Sequence, residues 1–346
     1  MNRRALSGLL ILMTCLVWTP AFATQETTFE KVWDLEGHRQ FAWCVSFSPD
    51  GKAIASANRD GTVTTWDMAT GKLGRTFSGH SGVVRGVTFA PGGKYVVSSG
   101  EDGTVRRWDL ATGKQDKLVP VPDHLEYKST SNLVGSLAFS PDGSVLAAGL
   151  QTRVALLRGS SLQDLERIAL LADGQSNVQT NVESVAFSRD GKKLAAVGGW
   201  HHIIVWDFKT RKELLALKFP HGNEPVDCVM FSSDGKLLAS GGHDGMARLW
   251  DANTGKELRA FTVGEKDVRS VALHPSANII MAAPEVGIVK MWRTDTGAEV
   301  HFQGSVVGSR FALSADGAHL ACSTFSNSVP VVQVWRVSTK TSTEGK

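Results

Sequence analysis

A tryptophan that recurs at nearly constant intervals limits the folds open to this chain more than any other feature. Successive copies lie about 43 residues apart, except for one gap of about twice that length. A degenerate copy with Leu157 in the tryptophan position fits inside the long gap, which gives seven copies. A period of about 20 to 50 residues is typical of repeat architectures, in which each copy is one small structural unit. The six tryptophans are Trp66, Trp108, Trp206, Trp250, Trp292 and Trp335.

A turn-rich segment recurs once in each copy and confirms the register of the repeat. Examples are "SFSPDGK" (46–52), "AFSRDGK" (186–192) and "ALSADGA" (312–318). An alternating apolar run precedes each segment and another follows it. Glycine supplies a positive φ angle and aspartate bonds back to its own backbone, so the pattern predicts a β-hairpin. With a second turn after each tryptophan, every copy is predicted to hold four short strands.

The charge balance argues against a polyanionic partner. The chain has 37 basic and 34 acidic residues, a formal net charge of +3. Nucleic-acid binding favours a strongly basic face, so no nucleic-acid partner is expected. The sequence also lacks a phosphate-binding Gly-rich loop, a His-Glu-x-x-His zinc site and a Gly-x-Ser-x-Gly nucleophile elbow. We therefore expect no cofactor and no catalytic activity.

The first 23 residues have the layout of a secretory signal peptide. Arg3 and Arg4 form a positive end, a short apolar run follows, and small residues precede a predicted cleavage after Ala23. An uncleaved anchor and a lipid attached at Cys15 are the alternatives. The sequence therefore predicts an exported protein, periplasmic or secreted.

Two cysteines occupy one position of the repeat. Cys44 and Cys228 stand where other copies have Gly86, Ser184 or Ser270. Since an unpaired cysteine packs as a small hydrophobic residue, we expect both thiols to be buried.

The Gly-His pairs of "EGHRQ" and "SGHSG", the recurrent Trp-Asp and the period together resemble the WD-repeat β-propeller family. The resemblance implies an all-β fold: a seven-bladed β-propeller of four-stranded antiparallel blades, with the ring closed by the N- and C-terminal strands. Residues about 29–34 would then pair with the strand around 331–335. After the signal peptide, residues 24–346 would form one propeller, with a core of about 29–337 and a polar tail at 338–346.

The resemblance also implies buried hydrogen-bonded tetrads of His, Ser, Asp and Trp. Such residues could be parts of a hydrolase, but the same set occurs three times at one spacing, which favours a structural role. Asp60→Ala is therefore expected to lower the melting temperature. The three sets are His38, Ser56, Asp60 and Trp66; His80, Ser98, Asp102 and Trp108; and His221, Ser240, Asp244 and Trp250.

The other four blades depart from this pattern. Gln151 and Trp200 replace the aspartate in blades 3 and 4, and Val286 replaces it in blade 6. Blade 7 has Cys322 in the serine position and what reads as an enlarged turn, "TFSNSVP". Apolar packing is expected to hold these blades in place of a tetrad.

The turns that should carry a partner site lie on one rim, together with two long connections at 118–134 and 171–182. An exposed tryptophan is an effective interface anchor, so Trp200 is a candidate; alternatively it folds over its own degenerate turn. The clustered histidines lack the further ligands of a zinc site, and no metal is expected. The candidate partner-binding residues are Trp200, His201, His202, His243, Arg59 and Glu101.

Two functions follow. The first is a non-catalytic, monomeric and exported scaffold that binds a protein through the rim formed by the turns between the second and third strands and the loops between blades. The alternative is an exported enzyme or small-ligand binder that uses the central channel and would need convergent charges on the inner strands. The charges there mix in sign and are interpreted as solvation of the channel or rim: Arg85, Glu183, Asp227, Arg269 and Arg310.

Overall fold

The computed structural model has seven antiparallel sheets arranged in a ring, as the repeat predicts. Strands and turns account for the ordered backbone of the described ranges, and no helix there is long and apolar enough to cross a bilayer. The described ranges are 24–121, 133–151, 153–169, 181–198, 202–218, 220–265, 267–276, 278–301 and 306–342.

Each sheet is one blade. Its strands run outward from the channel in chain order, except that the outermost strand of blade 7 is the N-terminal strand. Blade 1 is β2 (Ala42–Phe47), β3 (Ala53–Asn58), β4 (Thr62–Asp67) and β5 (Leu73–Ser78), and blade 2 is β6 (Val84–Phe89), β7 (Tyr95–Gly100), β8 (Thr104–Asp109) and β9 (Gln115–Pro120). Blade 3 is β10 (Leu137–Phe139), β11 (Val145–Gly149), β12 (Arg153–Arg158) and β13 (Asp164–Ala169), and blade 4 is β14 (Val182–Phe187), β15 (Lys193–Gly198), β16 (His202–Asp207) and β17 (Glu213–Lys218). Blade 5 is β18 (Val226–Phe231), β19 (Leu237–Gly242), β20 (Met246–Asp251) and β21 (Glu257–Thr262), and blade 6 is β22 (Val268–Leu273), β23 (Ile279–Pro284) and β24 (Lys290–Arg293). Blade 7 is β25 (Arg310–Leu313), β26 (His319–Ser326), β27 (Val329–Ser342) and the N-terminal strand β1 (Thr24–Leu35).

The predicted closure of the ring is confirmed. Strand β1 pairs antiparallel with β27 from Thr24 opposite Ser342 to Leu35 opposite Val332. Phe29 is buried in the apolar cluster that contains Met291, and Leu35 in the cluster that contains Trp66. The first and last strands therefore complete one blade together, and β1 packs against both neighbouring blades.

The recurrent turn owes its shape to a serine and an aspartate. In blade 1, the Ser48 hydroxyl donates to Asp50 Oδ1 at 2.7 Å, and the Lys52 amide donates to the same oxygen at 3.1 Å. Gly51 adopts a φ of 69°, which a side chain would disfavour. The same Ser–Asp bond recurs in four other blades, between Ser140 and Asp142, Ser188 and Asp190, Ser232 and Asp234, and Ser314 and Asp316.

A β-bulge near the start of the innermost strand aims one side chain of each affected blade at the channel. The pairing register shifts at this point in five of the seven inner strands. Bulges of this kind re-aim a side chain beside a site. The residues passed over by the shift all line the channel mouth: Trp43, Arg85, Glu183, Asp227 and Arg269.

Apolar side chains fill the cores of the degenerate blades. Leu157 is fully buried in the tryptophan position of blade 3. Val286, at the aspartate position of blade 6, is 72% exposed, and the buried core of that blade comes instead from Met281, Met291 and Trp292. The sheet of blade 6 has three strands among the described residues. The segment that follows them is attached through two isolated bridges, from Glu299 to Trp292 and from Val307 to Ile288.

The turn of blade 7 is not enlarged as expected. The extra residues lengthen both strands of the hairpin, and the connection itself is the two-residue turn Asn327–Ser328. Both turn residues have positive φ angles, 50° and 67°. Two such residues form the tight hairpin turn that matches the twist of antiparallel strands.

Candidate functional site

Blade 2 brings its four predicted residues into one buried hydrogen-bonded chain. His80 Nε2 lies 2.8 Å from Ser98 Oγ, and His80 Nδ1 lies 2.9 Å from Asp102 Oδ1. The Trp108 indole donates to Ser98 Oγ at 2.9 Å. The Arg106 guanidinium donates to Asp102 Oδ2 at 3.1 Å. The set joins the loop entering the blade, two strands and the turn between them.

With a neutral His80, the hydrogen bonds of this set run in one direction. The Trp108 N–H can only donate, so Ser98 Oγ accepts from it. When the His80 proton lies on Nδ1 and is accepted by Asp102, Nε2 accepts the hydrogen of the Ser98 hydroxyl. Ser98 is fully buried and its hydroxyl is committed at both ends. It cannot meet a substrate, so the hydrolase interpretation of this His–Ser–Asp set has no structural basis.

Electrostatics holds the blade 2 carboxylate in its charged form. Burial alone would raise the pKa of Asp102. Hydrogen bonds from His80 and Thr104 and from the Ser81 amide outweigh burial and hold that pKa well below its usual range. Asp102 therefore remains an acceptor throughout the neutral and mildly acidic range.

Blade 5 forms the same chain. His221 lies 2.8 Å from Ser240 Oγ and 2.7 Å from Asp244 Oδ1, and Trp250 donates to Ser240 Oγ at 2.9 Å. Burial opposes ionisation of Asp244, but hydrogen bonds from His221 and Arg248 lower its pKa. The loop that carries His221 lacks the Gly-His pair of blades 1 and 2 and still delivers the ring to the same place.

Blade 1 contains the predicted residues but does not assemble them. His38 Nε2 lies 3.1 Å from Ser56 Oγ, whereas the Ser56 hydroxyl donates to Asn58 Oδ1 at 2.8 Å. His38 must then donate to Ser56, which reverses the direction found in blades 2 and 5. His38 Nδ1 is buried without a hydrogen-bond partner among the described residues. Burial lowers the pKa of His38 to about 4.

The aspartate and tryptophan of blade 1 have other partners. Asp60 accepts from the Thr62 amide and hydroxyl, at 3.1 and 2.6 Å, and makes no bond to His38. The Trp66 indole donates to the Glu36 carbonyl at 3.2 Å and stacks on His38 with 4.6 Å between ring centroids. The expected tetrad through Asp60 is therefore wrong for this blade.

The residue two positions after the serine explains the difference. Blades 2 and 5 have Gly100 and Gly242 there, and a Cβ atom on either would lie 2.9 or 2.7 Å from the histidine ring. Blade 1 has Asn58. Its side chain takes the space that the ring needs to reach the aspartate, and bonds to the serine instead. Ser-x-Gly against Ser-x-Asn is the sequence signal that distinguishes the two arrangements.

Charged side chains pair around the mouth of the channel, within one blade or between adjacent blades. Arg85 donates to Glu101 at 2.9 Å, and Arg269 donates to Asp227 at 2.8 Å. His243 Nε2 lies 3.1 Å from Asp227 Oδ1. Sequence reasoning placed Glu101 and His243 on the rim and missed these pairs, because the bulge that turns Arg85 and Asp227 toward the mouth has no clear sequence signal.

Comparisons with known proteins agree with the repeat. The family model described as WD domain, G-beta repeat matches residues 29–67, 71–109, 173–207 and 213–251. The chain belongs to the WD-repeat family. Blades 1, 2, 4 and 5 of this WD-repeat protein correspond to the matched segments. The unmatched blades 3, 6 and 7 are three of the four blades that depart from the tetrad pattern.

Similar stretches occur in characterised WD-repeat relatives. Notchless protein homolog of Arabidopsis thaliana is 41% identical over 69 residues, 20% of this chain and 14% of that protein. Nuclear distribution protein nudF of Aspergillus flavus is 43% identical over 53 residues, 15% of this chain and 12% of that protein. Small ribosomal subunit protein RACK1y of Oryza sativa is 40% identical over 52 residues, 12% of this chain and 16% of that protein. The matches thus span well under a quarter of each relative.

The predicted partner-binding residues have different environments in the WD-repeat ring. Trp200 and His201 lie outside the described residues. His202 is the half-buried first residue of β16. His243 and Glu101 are engaged in the channel-mouth pairs, whereas Arg59 is exposed on the turn of blade 1. Within the described ranges, no group of three or more His, Cys, Asp or Glu side chains is arranged to hold a metal ion.

Exposed apolar residues on the same rim were missed by the sequence interpretation. Phe325 is 56% exposed at the end of the blade 7 hairpin and stacks on Phe41 with 5.4 Å between ring centroids. Val286, in the next turn of the ring, is exposed too, and Ile288 and Val307 pair beside it. We call Phe41, Val286, Ile288, Val307 and Phe325 the apolar rim. It lies over blades 6, 7 and 1, outside the predicted crescent over blades 2 to 5.

Proposed function

We propose that this WD-repeat protein is a non-catalytic scaffold that binds another protein through the rim formed by the turns between second and third strands and the loops between blades. The apolar rim is the observation that carries the proposal. Large apolar side chains grouped on an exposed surface mark interaction sites in soluble proteins. Phe325 is the expected anchor, because aromatic residues dominate the energy of protein interfaces.

The tetrads support a binding surface that keeps its shape. In blades 2 and 5 the chain of hydrogen bonds ties the entry loop, through His80 or His221, to the turn aspartate of the same blade. Both elements lie on the rim. A surface whose loops are fixed in advance loses less conformational entropy when it binds a partner.

The relatives give limited but compatible support. One of them is named as a ribosomal subunit protein and so is part of a large assembly. The shared fold is a fold-level analogy, and folds of this kind host several functions. The apolar rim of this chain, which is its own surface, therefore carries more weight.

Photo-crosslinking tests the rim directly. A photoreactive residue at position 325 is expected to yield a discrete crosslinked partner, and Phe325→Asp with Val286→Asp is expected to abolish capture of the same partner. Leu165 is a matched control, because it is 45% exposed on the outer strand of blade 3, away from the rim. Equal capture by the rim variant and by Leu165→Asp would refute the proposal.

We also propose that the protein is exported after cleavage behind Ala23. The Arg-rich start, the apolar run and the small residues before Ala23 support this, and cleavage there would leave all of β1, Thr24–Leu35, in the mature protein. N-terminal sequencing of the protein from its producing cells is expected to begin at Thr24. A sequence that begins at Met1 or Asn2 would refute cleavage, and recovery in the cytosolic fraction would refute export.

A further inference from the structure

One residue of the inner ring breaks the repeat. In each blade, one inner-strand position lies four residues before the turn serine, or before the residue that replaces that serine. This position holds a small residue in six blades and Arg310 in blade 7. A guanidinium on a long stem therefore stands where the other blades place at most a hydroxyl or a thiol. The six small residues are Cys44, Gly86, Ser136, Ser184, Cys228 and Ser270.

Five of the six small side chains bond to the backbone of the next blade. Ser136 Oγ accepts from the Val185 amide of the following blade at 3.3 Å, and Ser184 Oγ accepts from the Val229 amide at 3.3 Å. Ser270 Oγ donates to the carbonyl of Phe311 at 3.2 Å. Arg310 makes no such bond. It lines the channel-mouth cavity, and its guanidinium lies 5.0 Å from the centre of the Trp43 ring.

Most charges that line this cavity are neutralised by a neighbour. Arg85 is paired with Glu101, and Asp227 is paired with Arg269. Glu183 and Arg310 are different, because neither side chain makes a hydrogen bond or ion pair with any residue of the described ranges. Removal from water lowers the pKa of Arg310, although Asp227 acts in the opposite direction. Both residues are half-buried, and an unpaired charge with reduced access to water favours a complementary ligand group.

The two unpaired charges lie on opposite sides of the ring, in blades 4 and 7, around a cavity of about 180 Å³. Trp43 supplies an aromatic wall between Arg85 and Arg310, with the Arg85 guanidinium 4.2 Å from its ring centre. The acids around the mouth would repel a ligand of high negative charge: Glu101, Asp227, Asp267 and Glu285. A ligand with one carboxylate and one ammonium group satisfies both unpaired residues and carries no net charge.

We propose that the channel mouth binds a small zwitterion of the amino-acid class, with its carboxylate on Arg310 and its ammonium group on Glu183. The planar guanidinium suits a carboxylate because it can donate two parallel N–H bonds. The site adds a small-molecule ligand to a protein whose rim binds a protein partner, and it does not depend on that partner.

Calorimetric titration of the unmodified protein gives the first test. The probes are glycine, β-alanine and 4-aminobutyrate, in which the two charges are progressively farther apart, with propionate and ethylamine as analogues that carry one charge each. At least one amino acid is expected to bind on the order of tenfold or more tightly than either analogue. Binding of propionate as tight as that of every amino acid, or no measurable heat with any probe, would overturn the proposal.

Variants assign the two ends of the ligand. Arg310→Met and Glu183→Gln are each expected to weaken the best probe by on the order of ten- to a hundredfold. Arg336→Met is the matched control, since Arg336 is exposed on the outer strands of the same blade and pairs with Glu30. Undiminished binding by Glu183→Gln would refute the assignment even if Arg310→Met failed to fold, because the Glu183 side chain makes no hydrogen bond or ion pair with the described residues.

Discussion

Replacing Asp102 with alanine tests the structural role of the tetrads most directly. In blade 2 this carboxylate accepts from His80, from the Ser81 amide, from Thr104 and from Arg106. His80 is fully buried at its side chain. Asp102→Ala would leave the His80 Nδ1–H and the Ser81 amide without their acceptor, while Arg106 lies nearer to solvent.

The magnitude follows from the number of donors left unsatisfied. A buried donor that loses its acceptor costs about 1–3 kcal/mol. With the imidazole N–H fully buried and Ser81 exposed, we expect a loss of about 2 kcal/mol in the free energy of unfolding. The entropy of unfolding is about 2 cal/mol/K per residue, so a chain of this size should lose about 3 °C in melting temperature.

Asp60→Ala is the matched comparison, since Asp60 occupies the same turn position in blade 1. It accepts only from Thr62 at its own turn, so the expected loss is below about 1 kcal/mol and about 1 °C. The assay is thermal unfolding of both variants followed by circular dichroism, with urea denaturation as a check. Equal shifts for the two variants would refute the distinction between the blades, and an unchanged melt of Asp102→Ala would refute the tetrad argument itself.

Three further predictions concern the packing of the ring. Burial lowers the pKa of His38 from 6.5 to about 4, so the unfolded chain takes up the proton first as pH falls. The free energy of unfolding should therefore drop by about 2 kcal/mol between pH 7 and 5. A His38→Gln variant should lack that part of the drop in urea titrations. A chain that begins at Gly37 lacks β1 and should lose the cooperative melt of the chain that retains it, so identical melts would contradict the closure. Trp335→Phe should be less destabilising than Trp108→Phe by about 1–3 kcal/mol, because the Trp335 N–H is buried without a partner among the described residues whereas Trp108 bonds a serine; equal losses in denaturant titrations would contradict this.

Much of the fold could be predicted from the sequence because its determinants repeat. The Ser–Asp turn that begins at Ser48 and the spacing of the tryptophans place the strands of each blade. The pairing of β1 with β27 also followed from the sequence, since an outer strand was surplus at one end and lacking at the other. Such features depend on short segments whose geometry the local residues determine.

The site was harder to predict because it depends on contacts between segments. The bulk of the Asn58 side chain determines whether His38 reaches Asp60, although Asn58 is not one of the four predicted tetrad residues. The pairing of Asp227 with His243 requires a bulge that only the sheet register reveals. The exposure of Val286 depends on how a degenerate turn folds, and no periodicity encodes that.

Blades of the same repeat contain two different arrangements of buried polar residues. In blades 2 and 5 a glycine admits the histidine ring to the turn aspartate, and the buried chain runs from tryptophan to carboxylate. In blade 1 the Asn58 side chain occupies that position. The hydrogen bond between His38 and Ser56 then runs in the opposite direction, and His38 Nδ1 has no partner among the described residues. Arg310 on the inner strand of blade 7 is a similar departure from the repeat. Side chains at this position in other blades bond to the next blade, whereas Arg310 places a charge in the channel mouth. In a ring of similar blades, the copies that break the pattern are therefore the places where a specific function can be added without altering the shared scaffold.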